Sequence, residues 1–501
     1  MASFKNTALD QGRFVAGYCW RKQLKRSIGA TLISGAAVWS AQAMPNSADT
    51  PSLTPDQARL RAIYQELVEI NTTNSTGSCT KAAKAMAVHL KKAGFADKDL
   101  NLVVPKGGPE KGNLVARLRA TDGINPKKPL LLLAHIDVVE AKREDWIRDP
   151  FKLIEENGMF YARGAHDDKA MAAIFVDNMM RYKRDKTKLS RDVILALTCD
   201  EEIIPSQFNG VEYLLKHHRV LIDAEFALNE GSGGNGLMDK SGKRIRMGIQ
   251  AGEKTFQTFQ LEITNSGGHS SLPRKDNAIS RLSEALGRLG RFDFPFKLIP
   301  TTRAYFEQMS EIDKSSVGAD MKALLRDPVD PDAVARFSAS TPFNNATIRT
   351  TCVATTVTAG HAANALAQRA QATVNCRILP GETVDQTQAT LAEVLADKDI
   401  KISRLGEATI APSASLETEV VKHARAVTQD MWPGVPLIPT LSPGATDGRF
   451  LNTVGIQTYG ISGLFQYPEG SNAHGLNESL PVRSLYEGHQ FLYELAKRIA
   501  Q

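Results

Sequence analysis

The segment from Leu131 to Ala172 constrains this chain more than any other. It opens with the apolar run LLLA, which predicts a strand buried on both faces. The run ends in His135-Ile136-Asp137, and because alternate residues of a strand point the same way, His135 and Asp137 share one side. Further along, Asp167 and Asp168 precede an Ala-rich helical pattern. Such groups are ligands for a divalent cation, but these pieces alone fit a hydrogen-bonded core histidine and a solvated acidic turn equally well.

Three later segments repeat the same placement of acidic or histidine side chains. Glu201 and Glu202 follow the apolar run VILALTCD, Glu230 follows the run EFALN, and His474 lies in a polar loop near the C-terminus. The carboxyl ends of parallel strands meet at one crevice of an α/β sheet. A solvated turn would explain each of these segments alone, but five such segments in one chain favour a single metal site.

The order of periodic segments predicts a split α/β fold. Apolar strand patterns alternate with amphipathic helices up to residue 251, which indicates a doubly wound, mostly parallel sheet. Residues 252–405 read β-α-β-β-α-β, the order of a ferredoxin-like α+β domain. Residues 406–501 return to α/β, so the expected domains are 44–251 plus 406–501, with 252–405 inserted. Within the insertion, residues 291–343 are Pro-rich and carry one predicted helix, Ala319–Leu325.

The N-terminal region has the layout of a secretory signal peptide. The basic stretch RKQLKR (residues 21–26) precedes the weakly apolar Ser27–Val38, and Ala41-Gln42-Ala43 offers a cleavage site. We expect residues 1–43 to be removed, the mature protein to be exported, periplasmic or secreted, and no membrane anchor to remain. The residues before the basic stretch favour a start codon downstream of Met1. The alternative is a disordered N-terminus with a chance apolar patch.

Charge and cysteine content limit the partners and the compartment. The first 43 residues carry +5 of the chain's formal +6, so the remainder is near neutral and shows no basic cluster typical of nucleic-acid binding. Four cysteines remain after the predicted cleavage, and their spacing matches no zinc ribbon. Cys352 and Cys376 lie in neighbouring strand patterns, where a disulfide and two buried thiols are both consistent with the sequence.

Five short motifs together resemble metallopeptidase family twenty, which includes aminoacylases, carnosine-type dipeptidases, carboxypeptidase S and glutamate carboxypeptidase. The motifs are HIDVV (135–139), RGAHDDK (163–169), TCDEE (198–202), LNEG (228–231) and AHG (473–475). The resemblance implies two Zn²⁺ ions per subunit, for which Mn²⁺ or Co²⁺ could substitute. By the resemblance, Asp167 bridges the ions, His135 and Glu230 bind one, and Glu202 and His474 bind the other.

The same resemblance assigns roles around the metals. Glu201 is the general base, and Asp137 orients a ligand imidazole. His269, in the Gly-rich turn GGHSSLP, stabilises the oxyanion, often across a dimer interface, so the inserted domain serves as a lid or dimerisation domain. The alternative for His269 is a helix-capping loop with an incidental imidazole.

Three residues resemble family positions that hold the substrate. Asn364 and Arg377 resemble groups that bind the substrate carboxylate, a task that suits the planar fork of Arg. Arg449, in GATDGR, resembles a residue that lines the substrate pocket. The chain departs from the family after Asn364, where it reads Ala365-Leu366-Ala367, and after Glu202, where Ile203 stands in place of the usual Gly.

These observations predict an exported di-zinc hydrolase that cleaves an amide bond next to a free carboxylate. A dipeptidase or carboxypeptidase is the leading form, and an N-acyl-amino-acid amidohydrolase is the alternative that the same site would serve. A non-catalytic family member that only binds peptides or amino acids is a further alternative. Small peptides or N-acyl amino acids are the expected substrates, and a homodimer through the inserted domain is an open expectation.

Overall fold

The structure, a computed structural model, describes residues 52–121 and 127–501. The predicted signal peptide, residues 1–43, lies outside the described residues. Among the described residues, none of the helices combines the length and the apolar composition that crossing a bilayer requires.

The described part of the chain forms thirteen α-helices and nineteen β-strands. The helices are α1 (Pro55–Glu69), α2 (Cys79–Lys92), α3 (Lys169–Arg184), α4 (Gly210–His218), α5 (Ala278–Arg291), α6 (Pro300–Ile312), α7 (Ser316–Leu324), α8 (Pro331–Ser340), α9 (Pro342–Thr347), α10 (Val384–Leu395), α11 (Glu419–Met431), α12 (Gly448–Thr453) and α13 (Val482–Ala500). The strands are β1 (Leu100–Val103), β2 (Asn113–Leu118), β3 (Lys127–His135), β4 (Ile154–Glu156), β5 (Met159–Tyr161), β6 (Arg191–Thr198), β7 (Phe226–Asn229), β8 (Gly236–Met238), β9 (Arg244–Glu253), β10 (Thr255–Thr264), β11 (Gly268–His269), β12 (Thr351–Ala359), β13 (Ala365–Leu366), β14 (Arg369–Ile378), β15 (Lys401–Thr409), β16 (Leu437–Ser442), β17 (Gln457–Gly460), β18 (Phe465–Gln466) and β19 (Ser479–Pro481).

The largest sheet has the strand order β1-β2-β6-β3-β7-β17-β9-β8-β18, and β16 also pairs with β9. Its centre, β6-β3-β7-β17, is parallel. Leu130 and Leu132 of β3 pack into a core with helices α1, α2, α3, α11 and α13. Leu131 and Leu133 enter a second core with α4 and α12 on the other face. The continuous apolar run of β3 therefore reflects burial on both faces, and the predicted doubly wound α/β fold is confirmed.

A second sheet, antiparallel and in the order β12-β14-β10-β15, carries α5 and α10 against its buried face. The chain visits its elements in the order β10, α5, β12, β14, α10, β15, which matches the ferredoxin-like pattern that the sequence predicts. Strand β10 alternates buried and partly exposed residues, as expected for a sheet with one packed face. Strand β15 continues to Thr409, beyond the boundary at residue 405 that the sequence suggested.

The Pro-rich segment between α5 and β12 forms four helices, α6 to α9, with a core of their own. The rings of Phe306 and Phe337 meet edge to face in this core, 5.1 Å apart. Helix α6 packs against β16 of the large sheet. The sequence predicted one helix in this segment, and it corresponds to α7. Pro300, Pro331 and Pro342 each lie in the first turn of a further helix, where proline is tolerated, so the Pro-rich composition does not mark a loop here.

Two disulfides join four cysteines of the described chain. Cys352 and Cys376 lie directly opposite each other on β12 and β14 and are bonded, which decides between the two states that the sequence left open. Cys79, at the start of α2, is bonded to Cys199, which follows β6. This second bond was not predicted, because its partners are 120 residues apart and share no local pattern.

Candidate metal centre and active site

The predicted metal ligands lie at one edge of the large sheet. His135 ends β3, Glu202 follows β6, and Glu230 follows β7, and these three strands are parallel neighbours. Asp167 lies in the loop before α3, and His474 lies in the loop between β18 and β19. The strand order therefore brings residues far apart in sequence to the same crevice, as in other open α/β sheets.

Asp167 occupies the centre of this group. Its Oδ1 lies 3.0 Å from Nε2 of His135, and its Oδ2 lies 3.3 Å from Nε2 of His474. Nε2 of His474 also lies 2.8 Å from Oε2 of Glu202. One carboxylate with a different imidazole on each oxygen is the arrangement expected of a ligand shared by two metal ions.

Glu201 and Glu230 line the same cavity of about 310 Å³, together with Asp167, Glu202 and His474. Burial raises the pKa of the Glu201 carboxyl well above its usual value; His135 opposes this rise, and nearby acidic groups add to it. Burial also raises the pKa of Glu230, and the negative charge of Asp167 contributes.

This donor set fits divalent cations. Carboxylates crowd the cavity, yet no Lys or Arg side chain of the described residues lines it to balance their charge. Buried carboxylates without a counter-charge are costly, and cations bound between them would remove that cost. Imidazole and carboxylate ligands together suit zinc and its first-row neighbours. Nε2 of His135 and the carboxylates of Asp167 and Glu202 already lie within 4.8 Å of one another.

The carboxylate of Asp137 contacts the loop that carries the predicted base more closely than it contacts the imidazole of His135. Its carboxylate accepts the backbone N–H of Glu201 at 3.3 Å and that of Glu202 at 3.1 Å. Nδ1 of His135 lies 3.7 Å from this carboxylate but 3.1 Å from the backbone carbonyl of Asp137, to which it donates. Burial raises the pKa of Asp137 to about 7, against the opposing effect of His135. The backbone carbonyl of Asp137 thus orients the imidazole of His135, and the carboxylate of Asp137 holds the loop that carries Glu201 and Glu202.

His269 lies on β11 and Asn364 immediately precedes β13, and these two short strands form a separate ribbon of the inserted domain. The His269 side chain is exposed, its Nδ1 lies 2.8 Å from Oγ of Ser271, and it does not line the cavity. The backbone carbonyl of Asn364 accepts the N–H of Ser270 at 3.0 Å. The structure therefore places these two residues near each other but does not bring them to the metal ligands.

Arg377 and Arg449 carry positive charges that influence each other. Arg377, on β14, lies over the ring of Phe256 at 4.7 Å, and its Nη1 is buried without a hydrogen-bond partner among the described residues. Burial lowers the pKa of Arg377, and the positive charge of Arg449 lowers it further. Arg449 donates to the carbonyl of Thr446 at 3.0 Å, and Thr446 lines the cavity. Two such guanidinium groups, one of them bonded to a residue of the cavity lining, are suited to an anionic ligand.

Several polar groups in or near the cavity escaped the sequence analysis. His166, to which the sequence analysis gave no role, lines the cavity, and its Nε2 contacts the side-chain amide of Gln466. Asp447 is buried and accepts from the side-chain amide of Asn209 at 2.6 Å. Glu478 is fully buried behind the loop of Asp167. His166 lies in the motif RGAHDDK and Asp447 in GATDGR, so membership of these motifs could have identified both residues. No motif pointed to Gln466.

Comparison with known proteins tests the family membership of the chain independently of the site geometry. A model of Peptidase family M20/M25/M40 matches residues 131–498. Over 387 residues the chain is 28% identical to the N-fatty-acyl-amino acid synthase/hydrolase PM20D1 of Homo sapiens, across 76% of this chain and 76% of that protein. The structure superposes with a TM-score of 0.64 on the M20 family metallo-carboxypeptidase Sso-CP2 from Sulfolobus solfataricus, at 23% identity over 89% of this chain and 99% of that one. The YXEP protein of Bacillus subtilis, described as a dinuclear metal-binding peptidase from the M20 family, superposes with a TM-score of 0.56 at 12% identity, over 89% of this chain and 98% of that one.

The matched region begins at the strand that carries His135 and ends beyond His474, so it contains every predicted ligand as well as the inserted sheet. Family, fold and donor set therefore agree, and the chain belongs to the M20/M25/M40 peptidases as an enzyme of the metallopeptidase and amidohydrolase class.

Proposed function

We propose that this protein is an exported di-zinc hydrolase that cleaves an amide bond adjacent to a free carboxylate. The observation that carries the proposal is the position of Asp167, whose two oxygens face the imidazoles of His135 and His474 separately. In this assignment His135 and Glu230 complete one zinc site, Glu202 and His474 complete the other, and Asp167 is shared.

Bound zinc would hold a water between two cations and lower its pKa toward neutrality. Glu201 is placed to take the proton of that water and later to give it to the leaving amine. Its carboxyl lines the cavity, and its backbone is held by the carboxylate of Asp137. Glu201 as the base and Glu202 as a metal ligand can take separate roles, because adjacent side chains point in different directions.

Arg377 and Arg449 are assigned to the free carboxylate of the substrate. The unpartnered Nη1 of Arg377 supports this role, since a buried guanidinium N–H without an acceptor is costly unless a ligand supplies one. A carboxylate held there would fix the neighbouring amide carbon near the attacking water. Positioning of this kind lowers the barrier of a reaction that is otherwise bimolecular.

A dipeptidase or carboxypeptidase is the leading form of this proposal. Beyond the ligands, the cavity is lined by polar side chains, namely His166, Asn235, Ser462, Gln466 and Ser471, and by the apolar Met171 and Leu464. The polar side chains would provide hydrogen bonds that orient a peptide. The N-acyl-amino-acid hydrolase remains the second candidate, because the human relative of 28% identity acts on N-fatty-acyl amino acids, as its name states.

His269 is assigned to the oxyanion, with Asn364 beside it as a substrate contact. Because His269 is exposed on the inserted domain, it reaches the reacting atoms only after that domain closes or from a second copy of the chain. Strand β12 is an edge strand whose residues from Val353 onward are exposed and carry no charge. Its free edge supports homodimer formation by strand pairing.

Export is supported by the two disulfides. Structural disulfides form and persist in the periplasm and outside the cell, and they are rare in a reducing cytosol. Cys79, Cys199 and Cys376 are buried, so their bonds stabilise the fold.

Hydrolysis of a matched substrate panel tests the proposal. The chain from Met44 onward would be assayed on dipeptides and on N-acyl amino acids as purified, after chelation, and after zinc is restored. Loss of turnover with chelator and its return with zinc are expected, and the panel identifies the acyl group. Folded protein that takes up no metal when zinc is supplied would refute the assignment, and metal-loaded protein without turnover would favour a binding role.

A further inference from the structure

The loop that carries His474 has little regular structure of its own. It connects β18 to β19, and Asn472, His474 and Asn477 all have a left-handed backbone, with φ of 57°, 62° and 55°. The His474 side chain is 57% exposed, so little surrounds the ring beyond its contacts with Asp167 and Glu202. Contacts to the loop backbone therefore help to set its position.

Arg163 supplies those contacts from the loop that also carries Asp167. The Arg163 side chain is buried, and its Nη2 donates to the carbonyl of Gly475 at 2.9 Å and to that of His474 at 3.4 Å. Its Nη1 donates to Oε2 of Glu478 at 2.8 Å. One guanidinium thus holds two consecutive carbonyls of the His474 loop and a carboxylate at the end of that loop.

Glu478 connects the loop of His474 back to the loop that carries Asp167. Its carboxylate is fully buried, and Oε1 accepts the backbone N–H groups of His166 at 2.8 Å and of Asp167 at 2.9 Å. Oε2 accepts the N–H of Gly164 at 3.0 Å. The backbone of Asp167 is therefore held by a residue four positions after His474.

We propose that Arg163 and Glu478 are positioning residues that set the distance between Asp167 and His474, and hence the affinity for the zinc ion bound by Glu202 and His474. The inference rests on the proposed two-zinc function. Neither residue lines the cavity, so neither touches substrate or metal. The other zinc site takes His135 and Glu230 from the ends of β3 and β7, which this ion pair does not contact. Both sites share Asp167, so we expect a smaller effect at that site and the larger effect at the site that contains His474.

Zinc titration of chelator-treated protein tests the inference by calorimetry and by metal analysis. The wild type is expected to bind two zinc ions. Glu478→Gln is expected to bind the second zinc ion about 10- to 100-fold more weakly, the loss typical of groups that orient metal ligands. Its affinity for the first ion is expected to fall much less, because that site depends on the pair only through the shared Asp167. Activity of the variant is expected to recover as free zinc is raised.

Glu487→Gln is the matched control. Glu487 pairs with Arg244 in a largely buried ion pair between α13 and β9, and neither residue lines the cavity. This variant is expected to bind both zinc ions as the wild type does.

The outcomes separate the inference from the function on which it rests. A wild type that does not bind two zinc ions would refute the two-zinc function itself. A Glu478→Gln protein that melts at a lower temperature but binds both zinc ions as tightly as the wild type would overturn the inference, because the pair would then be only structural. If Glu478→Gln does not fold, Arg163→Lys takes its place, since lysine keeps the positive charge but lacks the two-pronged guanidinium group. Weaker binding of the second zinc ion would then support the inference, and unchanged affinity at both sites would overturn it.

Discussion

The backbone N–H of Glu202 donates to Oδ2 of Asp137 at 3.1 Å. Asp137, which lies shortly after β3, therefore holds the loop after β6 that carries Glu202. We expect Asp137→Asn to lower kcat by about 10- to 100-fold, because the amide nitrogen would face one of the two backbone donors that the carboxylate now accepts. Steady-state kinetics with metal analysis would measure this. Asp192→Asn is the control, since Asp192 also accepts a backbone N–H, that of Ala120, at the far end of β6. Wild-type kcat in Asp137→Asn would contradict the assigned role.

The adjacent acidic residues should respond differently to the same substitution. Glu201→Gln is expected to keep its zinc and to lose about 10²- to 10⁴-fold in kcat, the range for removal of a general base. Glu202→Gln is expected to lose zinc as well, because Glu202 is an assigned ligand. Zinc content and kcat measured on both variants would separate the two roles. Near-full activity in Glu201→Gln would exclude Glu201 as the base.

Local periodicity was enough to predict the elements that carry the site. The apolar run at 131–134 lies in β3, the run at 193–198 lies in β6, and residues 226–229 of the run EFALN form β7. Apolar runs and alternation report burial on two faces or on one, so they identify strands without knowledge of their partners. The residue that follows each buried strand could therefore be proposed as a ligand.

Contacts between distant segments could not be predicted in this way. Arg163 and Glu478 are 315 residues apart, and neither has a local pattern that indicates a buried ion pair. The bond between Cys79 and Cys199 depends on how α2 packs against β2, the strand next to β6, which no local period encodes. His269 shows the opposite case: its motif was recognised, but its distance from the cavity depends on the placement of the inserted domain.

The guanidinium of Arg377 should discriminate between charged and neutral substrate ends. A hydrogen bond to a charged group contributes about 1.5–3 kcal/mol, so Arg377→Ala is expected to lower kcat/KM for a free carboxylate by roughly 10- to 100-fold. The corresponding amidated substrate, already poor, should be affected much less. Arg369→Ala on the same strand is the control, because Arg369 is exposed and lies 3.4 Å from Glu262. Equal losses on both substrates would indicate that Arg377 supports the fold and does not read the carboxylate.

The two disulfides should stabilise the fold to different extents. The cysteines of the Cys79–Cys199 bond are 120 residues apart, whereas those of the Cys352–Cys376 bond are 24 apart. If restriction of the unfolded chain dominates, the longer loop contributes about 1.4 kcal/mol more. Replacing each pair by Ala and measuring urea unfolding of the metal-free proteins would compare them. Equal losses of unfolding free energy would show that loop length does not set the contribution.

Stabilisation by zinc should increase with pH. Burial raises the pKa of Asp137 and of Glu253 to about 7, and contacts with Asp167 and then Glu202 raise that of His474 to about 10. The folded, metal-free protein therefore keeps protons that the unfolded chain releases near pH 4 for the carboxyls and near pH 6.5 for the imidazole.

The contribution of these groups to stability is complete below the unfolded pKa values, and it is lost as pH rises through about 7 and then through about 10. Zinc binding needs the deprotonated ligands, so its affinity rises over the same interval. We expect the difference in Tm between zinc-loaded and chelator-treated protein to be larger at pH 8 than at pH 5.5. His474→Asn should reduce this pH dependence, since it removes the imidazole proton that zinc displaces. A Tm difference that is the same at both pH values would show that zinc does not compete with protons for the imidazole of His474.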